Sequence, residues 1–357
     1  MEKILDLYTD YLLSSFGQTS ATGLSNLVDN SIKHDTITRF LANSNFGSKD
    51  LWVAVKCLVR EHQSEDACLI FDDSIIEKSF TDENDLICWH WDHSKQRSVK
   101  GINLLSAFYH TQSTQNEALS IPIGFEIIKK TVKFCVIKTK KEKRVSPLSK
   151  NELMRQMIIQ AIANGLIFKY ILGDSWFAST ENMKFIVDKK KLFIFDMQSN
   201  RLAALSEEDR NAGNWTRIDE LAILNNTPTK VWLKDLEFPV FLNKQVFTNE
   251  DSTGCRFLIS NDFSLTNEQF TTIYKKRWRV EEYHKSLKQN AGIAKSPTKI
   301  VQTQSNHVFA AIMAYVKLEK LKFANKMNHF AMKVKIYNQA LKAAFKELTI
   351  LKNVAHA

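Results

Sequence analysis

Residues 153–195 read LMRQMIIQAIANGLIFKYILGDSWFASTENMKFIVDKKKLFIF, and this stretch decides the fold class. Leu153, Met154, Met157, Ile158 and Ala161 recur at helical spacing, and Asn164-Gly165 supplies a stop. Residues 168–172 (FKYIL) form a short apolar run that ends at Gly173-Asp174, which predicts a strand. Residues 179–190 again have helical character, and 192–195 (LFIF) are another strand. Three further apolar runs lie upstream, at 67–71 (ACLIF), 103–110 (NLLSAFYH) and 119–128 (LSIPIGFEII). The order of three strands, helix, strand, helix, strand predicts a mixed α/β sheet with helices on its faces.

Outside this core the rhythm changes. Residues 1–62 read as helical, with Ile4, Leu5, Tyr8, Tyr11 and Leu12 on one face. Within them, Leu24 and Leu27 mark a short helix, Asp29-Asn30-Ser31 a break, and Ile37, Phe40 and Leu41 a second helix. That is the outline of a helix-turn-helix or of an ordinary helical hairpin. In a DNA-binding version Lys33, His34, Thr36, Thr38 and Arg39, at or near the start of the second helix, would meet bases and phosphates. Residues 138–150 (KTKKEKRVSPLSK) read as a basic loop, and 199–265 as a β-rich insertion. Residues 266–291 read as one long helix opened by Thr266-Asn267-Glu268 and closed by Gly292, and 305–350 as lysine-rich helix. The five aromatics Phe309, Tyr315, Phe323, Phe330 and Tyr337 read as helix core. The expected organisation is a helical domain at 1–62, a mixed α/β core at 63–198, the insertion at 199–265, a last core helix at 266–300 and a helical region at 301–357.

Composition narrows the chemistry. Lys and Arg number 49 against 39 Asp and Glu, a formal charge of +10, which suits a polyanionic partner as well as a plain basic protein. The five cysteines are scattered with no CxxC pair, which argues for reduced thiols and against a disulfide framework or zinc finger. No apolar run reaches membrane-spanning length, and the acids within the first apolar stretch argue against a signal peptide. Glycine-rich phosphate loops and a GxSxG elbow are absent, so nucleotide and serine hydrolysis have no support. His90 and His93 in CWHWDH lack a third ligand at suitable spacing.

Within TTIYKKRWRVEEYHKSLKQNAG, Tyr274, Arg277, Glu281 and Lys288 stand 3, 4 and 7 residues apart. At about 100° per residue they share a stripe roughly 60° wide. Alone, such a stripe is equally a solvated face with ion pairs such as Arg277–Glu281 and Glu281–Lys285. Asp73 and Asp174, however, each follow a predicted strand, where open α/β sheets place their sites. Three carboxylates meeting at one sheet edge would suit hard divalent cations. Two such ions, about 3.5–4 Å apart, serve phosphodiester chemistry.

These motifs resemble the DDE insertion-sequence transposases with an RNase H-like catalytic domain, in the branch marked Tyr-x2-Arg-x3-Glu-x6-Lys. FDDS at 71–74, LGDSWF at 172–177, WDHSKQRSVKGINLL at 91–105 and SNR at 199–201 carry the likeness with the four-residue stripe. Gln198 stands where related sequences often have lysine. The resemblance implies an RNase H-like fold, a metal triad of Asp73, Asp174 and Glu281, and two Mg2+ ions for which Mn2+ can substitute. Asp72 rivals Asp73; Asp73 is preferred because it directly precedes the hydroxyl residue Ser74. Implied partners are terminal inverted repeats, target DNA and a second copy of the chain in the DNA complex, with no membrane and a cytoplasmic, nucleoid-associated location in a bacterium. The implied reaction nicks one strand, forms and reopens a hairpin, and joins the 3′ ends to target DNA. Tyr274, Arg277, Lys285 and Lys288 would hold DNA, and Trp232 or Trp278 would stack a flipped base. An RNase H-like nuclease that cuts without joining, and a non-catalytic DNA binder, are the alternatives.

Overall fold

The computed structural model describes residues 2–112, 118–137, 140–249 and 252–355. Four helices come first: α1 (Glu2–Ser14), α2 (Ala21–Leu27), α3 (His34–Asn43) and α4 (Ser48–His62). The strands β1 (Cys68–Glu77), β2 (Cys88–Asp92), β3 (Arg97–Gln112) and β4 (Ala118–Ile127) follow. A separate hairpin, β5 (Val132–Val136) and β6 (Lys141–Val145), leads to α5 (Lys150–Ala163). Next come β7 (Tyr170–Gly173), α6 (Thr180–Asp188) and β8 (Leu192–Met197). The insertion supplies β9 (Leu202–Ala204), α7 (Glu207–Ala212), β10 (Thr216–Arg217), β11 (Thr229–Leu233), β12 (Val240–Asn249) and β13 (Ser252–Ser260). The chain closes with α8 (Asn267–Lys275), α9 (Trp278–Gln289), α10 (Val301–Asn325) and α11 (His329–Ala355).

Among the described residues, eleven strands form one sheet in the order β10-β9-β11-β12-β13-β8-β7-β1-β3-β2, with β4 also paired to β3. β1, β7 and β8 are parallel neighbours, while β3 and β4 run antiparallel beside β1. Parallel neighbours need a crossover, which α5 and α6 provide. This is the mixed sheet, with helices at both ends of the chain, that an RNase H-like fold requires. The insertion does not form a sheet of its own. β13 pairs antiparallel with β8 and continues the core sheet outward.

The helical ends of the chain meet. Tyr8, Leu12, Leu24, Ile37 and Phe40 share one hydrophobic core with Val308, Phe309 and Ile312 of α10. The Tyr8 hydroxyl lies 2.9 Å from His307 Nδ1, and Asn306 Nδ2 donates to the carbonyls of Leu41 and Ser44. The break expected at Asp29-Asn30-Ser31 is present, with Asp29 and Asn30 both at positive φ.

Four expectations change. β1 runs past both aspartates because β3 pairs with it as far as Glu77, so Asp72 and Asp73 lie inside a strand. CWHWD, passed over as a strand, is β2 on the other side of β3. Residues 140–145 of the basic loop are β6 and its turn; Lys138 and Thr139 lie outside the described residues. The helix over 266–291 is two helices, because the backbone N–H groups of Lys276, Arg277, Arg279 and Val280 bond three residues back, to Ile273, Tyr274, Lys276 and Arg277. The tighter i→i+3 turn breaks the four-residue ladder between α8 and α9.

Candidate active site

The site is built around the end of the parallel strands. β1 and β7 pair with Cys68 opposite Tyr170 and Ile70 opposite Leu172. Extending that register by two residues sets Asp72 level with Asp174. In a strand, successive side chains point to opposite faces. Asp72 and Ser74 therefore look to one face of β1, and Asp73 to the other.

On the first face lies α9. Asp72, Ser74, Glu281, His284, Lys285, Lys288 and Gln289 line a cavity of about 350 Å³. Glu281, His284 and Lys288 reach it together because three- and four-residue steps stay on one helix face. Asp72 Oδ2 lies 3.6 Å from His284 Nδ1, longer than a hydrogen bond, and Oδ1 accepts only the N–H of the next residue, Asp73, at 2.9 Å. The Glu281 carboxylate turns toward Arg277, one of whose guanidinium nitrogens donates to it at 2.6 Å. Burial holds the Lys288 ammonium below the ordinary lysine value.

On the second face Asp73 is well held. Its carboxylate accepts from Lys150 Nζ at 2.6 Å and from Asn103 Nδ2 at 2.7 Å. Lys150 reaches it from the first turn of α5, whose start is fixed by a capping box between Ser149 and Glu152. The same ammonium lies 4.5 Å from the centre of the Trp176 ring.

Asp174 follows the end of β7, level with Asp72. The N–H of Trp176 donates to its carboxylate at 3.0 Å. Burial, and then the negative charge of Asp72, push the Asp174 carboxyl up to about 6, and Asp73 adds a smaller push. Gly173 before it admits no side chain cheaply: a Cβ would lie 3.2–3.3 Å from atoms of the Phe177 and Phe195 side chains.

Of the expected triad, then, Glu281 shares a cavity with Asp72, while Asp73 faces away from it. The hydroxyl neighbour Ser74, on which the preference for Asp73 rests, does not set which face of β1 a side chain takes. The strand period of two was available in the sequence, but the register with β7 that sets Asp72 level with Asp174 was not. His284 and Lys150 were not singled out from the sequence, and only the pairing of elements reveals them. Among the described residues no group of three or more His, Cys, Asp or Glu side chains is gathered tightly enough to hold a metal ion. The donors nonetheless suit a hard divalent cation: they are carboxylate oxygens, and the charges of Asp72 and Asp73 add to the burial that raises the Asp174 carboxyl. Asp72, Asp174 and Glu281 would hold such an ion once Glu281 leaves Arg277.

The remaining expected contacts divide. Tyr274 lies on α8, buried, with its hydroxyl 3.4 Å from the Gly173 carbonyl and the Arg277 guanidinium 5.7 Å from its ring centre. Lys285 and Glu281 also line a larger cavity of about 940 Å³ with Trp278, Arg279 and Lys322. Trp278 is exposed. Trp232 is all but buried, with the Arg210 guanidinium 4.4 Å from its ring centre, so its ring has no open face. Thr38 and Arg39 are exposed on α3. His90 points inward and burial lowers it to about 4, whereas His93 lies edge-on between Trp91 and Trp176, so the two histidines do not converge.

Two family models match the chain. The model described as transposase DDE domain matches residues 148–317. The model described as DDE superfamily endonuclease matches residues 1–212, more than half of the chain. No curated protein matches it.

Proposed function

The chain belongs to the DDE superfamily endonucleases, and from that premise we propose that it is the cut-and-paste transposase of an insertion sequence. Metal-dependent DNA cleavage follows from the family; the joining step, the hairpin intermediate and recognition of terminal inverted repeats are our reading. The observation that carries it is the cavity shared by Asp72 and Glu281 beside the raised carboxyl of Asp174.

We assign the three metal-holding carboxylates to Asp72, Asp174 and Glu281, in place of the Asp73 set. Bound there, a pair of divalent ions, Mg2+ or Mn2+, would activate the attacking oxygen and stabilise the leaving one. The protein supplies the rest. Arg277 and Lys288 flank the carboxylates and would hold phosphates on either side of the cut. Arg277 releases Glu281 as it takes a phosphate, so substrate binding and completion of the metal shell are linked. Trp278 offers an open ring for an unpaired base, as sharp bending of a hairpin demands. Thr38 and Arg39 of α3 would read the terminal repeats, with two copies of the chain pairing two ends. The branch marked by Tyr274, Arg277, Glu281 and Lys288 fits this chemistry.

The test is incubation with Mg2+ and a DNA fragment carrying the element's own terminal repeats. Hairpin-ended fragments and joined target DNA are expected. Cleavage without joining would reduce the protein to a nuclease, and binding without cleavage would remove the catalytic reading. A second readout needs no turnover: Mg2+ should raise the Tm of the wild type, because it binds the folded chain only, and should leave Asp174→Asn unmoved.

A further inference from the structure

Trp89, Trp91 and Trp176 are 52%, 51% and 50% exposed. Indole surface of that extent is seldom left to water unless something binds it. Trp89 and Trp91 stand two residues apart on β2 and share its outward face, while Cys88 and His90 point inward and are buried. Lys100 and Ser98 of β3 lie opposite the two tryptophans. Trp176 belongs to the turn after β7, two residues past Asp174.

These rings form a chain. His93, in the turn between β2 and β3, packs edge-on against two of them: its ring centre is 6.3 Å from that of Trp91 and 6.4 Å from that of Trp176. The line therefore runs from β2 to the turn where the Asp174 carboxylate accepts the Trp176 N–H. Its frame is fixed. Asp92 Oδ1 accepts from the N–H and the hydroxyl of Ser94 at 2.9 and 2.6 Å, and from the N–H of Lys95 at 3.2 Å. Lys130 Nζ donates to the Trp89 carbonyl at 2.6 Å. Lys150 covers one side of the Trp176 ring, and the half exposure of that ring leaves the other side open. The same turn reaches the cavity on the α9 face, where the charges of Asp92 and Lys95 act on Lys288.

Spacing selects the ligand. Along one strand of a duplex, bases follow one another at about 3.4 Å, each covering the faces of its neighbours. Ring centres 6.3 and 6.4 Å apart are nearly twice as far from each other. They suit a strand that has left the duplex, whose bases have faces to offer. Cations stand where its phosphates would run: Lys100 lies 5.8 Å from the Trp89 ring centre, and Arg97 is exposed at the start of β3. The acids nearby are engaged, Asp92 in the turn and Glu77 with Lys95. A protein partner would want a continuous apolar patch, and here charges separate the rings.

We propose that Trp89, Trp91, His93 and Trp176 form a stacking track that leads a single strand of DNA away from the carboxylates along β2. The inference rests on the reading of a DNA-cleaving site at Asp72, Asp174 and Glu281, and names the path of one strand beside it. Its test needs no metal. Fluorescence anisotropy of the full chain in EDTA would compare a labelled oligothymidylate of about twelve nucleotides with a blunt duplex of the same length. Trp91→Ala with Trp176→Ala should weaken oligothymidylate binding by about tenfold or more and duplex binding by less than about twofold. Both side chains are half exposed, so circular dichroism should be unchanged. The loss should persist at raised salt, where phosphate contacts weaken. Trp91→Phe with Trp176→Phe should keep most of the affinity, because a phenyl face still stacks, yet show less quenching of tryptophan fluorescence on binding than the wild type. Equal losses on both ligands, no loss, a phenylalanine pair as weak as the alanine pair, or a wild type that ignores oligothymidylate would each overturn the proposal. A chain that binds the strand but never cleaves with Mg2+ keeps this inference and loses the catalytic reading. One that cleaves while its alanine pair binds normally does the reverse.

Discussion

On the α9 face of β1, Asp72 faces a cavity with no hydrogen-bond donor among the described residues but the next residue's own N–H, and the His284 imidazole is 3.6 Å away. On the α5 face, one residue along the same strand, Asp73 is held by Lys150 and Asn103 at 2.6 and 2.7 Å. The two side chains have the same chemistry and nearly the same exposure, yet opposite states of satisfaction. A carboxylate that must accept a metal needs lone pairs left open, whereas one that fastens a helix to a sheet is stable when saturated. Asp72 has the character of a ligand in waiting, and Asp73 that of a structural anchor.

The sharpest way to break this contrast is to remove each charge in turn. Asp72→Asn should abolish nicking, since losing a metal ligand forfeits several kcal/mol of transition-state stabilisation, about a thousandfold in rate or more. It should leave urea stability nearly unchanged. Asp73→Asn should do the reverse: a stability loss of about 1–3 kcal/mol from the unpaired Lys150, with nicking reduced far less. If Asp73→Asn is dead and Asp72→Asn active, the faces have been read the wrong way round.

Asp174 feels the charge of both aspartates, and its prediction carries a sign. Its carboxyl sits at about 6 in the folded chain against an ordinary 3.8. Between those values the folded chain binds more protons than the unfolded one, so its contribution to stability falls as pH rises through that window. Asp174→Asn removes the penalty. It should be inactive yet more stable than the wild type at pH 8 without metal, by at most about 3 kcal/mol, with the gain gone by pH 4. Thermal melts across that range check it. A loss of stability at pH 8 would show that the Asp174 charge is stabilised by its neighbours.

The α/β order was legible in residues 153–195 because helix and strand periods there are clean, and the capped ends at Ser149, Ser179 and Thr266 fall where local chemistry puts them. Asp174 and Glu281 were legible for the same reason: each stands at a fixed place in a periodic element. What could not be read was anything set by partners distant in sequence. Asp73 and Lys150 are 77 residues apart, and only the packing of α5 on the sheet joins them. The break between α8 and α9 has no proline or glycine to announce it, since both Lys276 and Arg277 keep right-handed helical dihedrals. CWHWD reads poorly as a strand because its two outward residues are tryptophans, so the alternation of apolar and polar residues is hidden.

A smaller effect tests the anchor from its other end. Lys150→Met takes the cation from Asp73 but leaves Asn103 in place, so it should cost about 1–2 kcal/mol. In combination with Asp73→Asn the two losses should not add, because contacting partners couple. Additive losses would mean that the Lys150–Asp73 contact contributes nothing of its own.

The smallest expected effect bears on the open face. His284 is buried and comes nearest to Asp72, but at 3.6 Å it makes no hydrogen bond, and its Nε2 has no partner either. A histidine so placed fixes nothing that glutamine of similar size and polarity would not. His284→Gln should therefore shift urea stability by less than about 1 kcal/mol, clearly below the cost of Lys150→Met measured alongside. A loss as large as that of Lys150→Met would mean that Asp72 is fastened by α9 as firmly as Asp73 is by α5. The asymmetry that marks one aspartate as a ligand and the other as an anchor would then be gone.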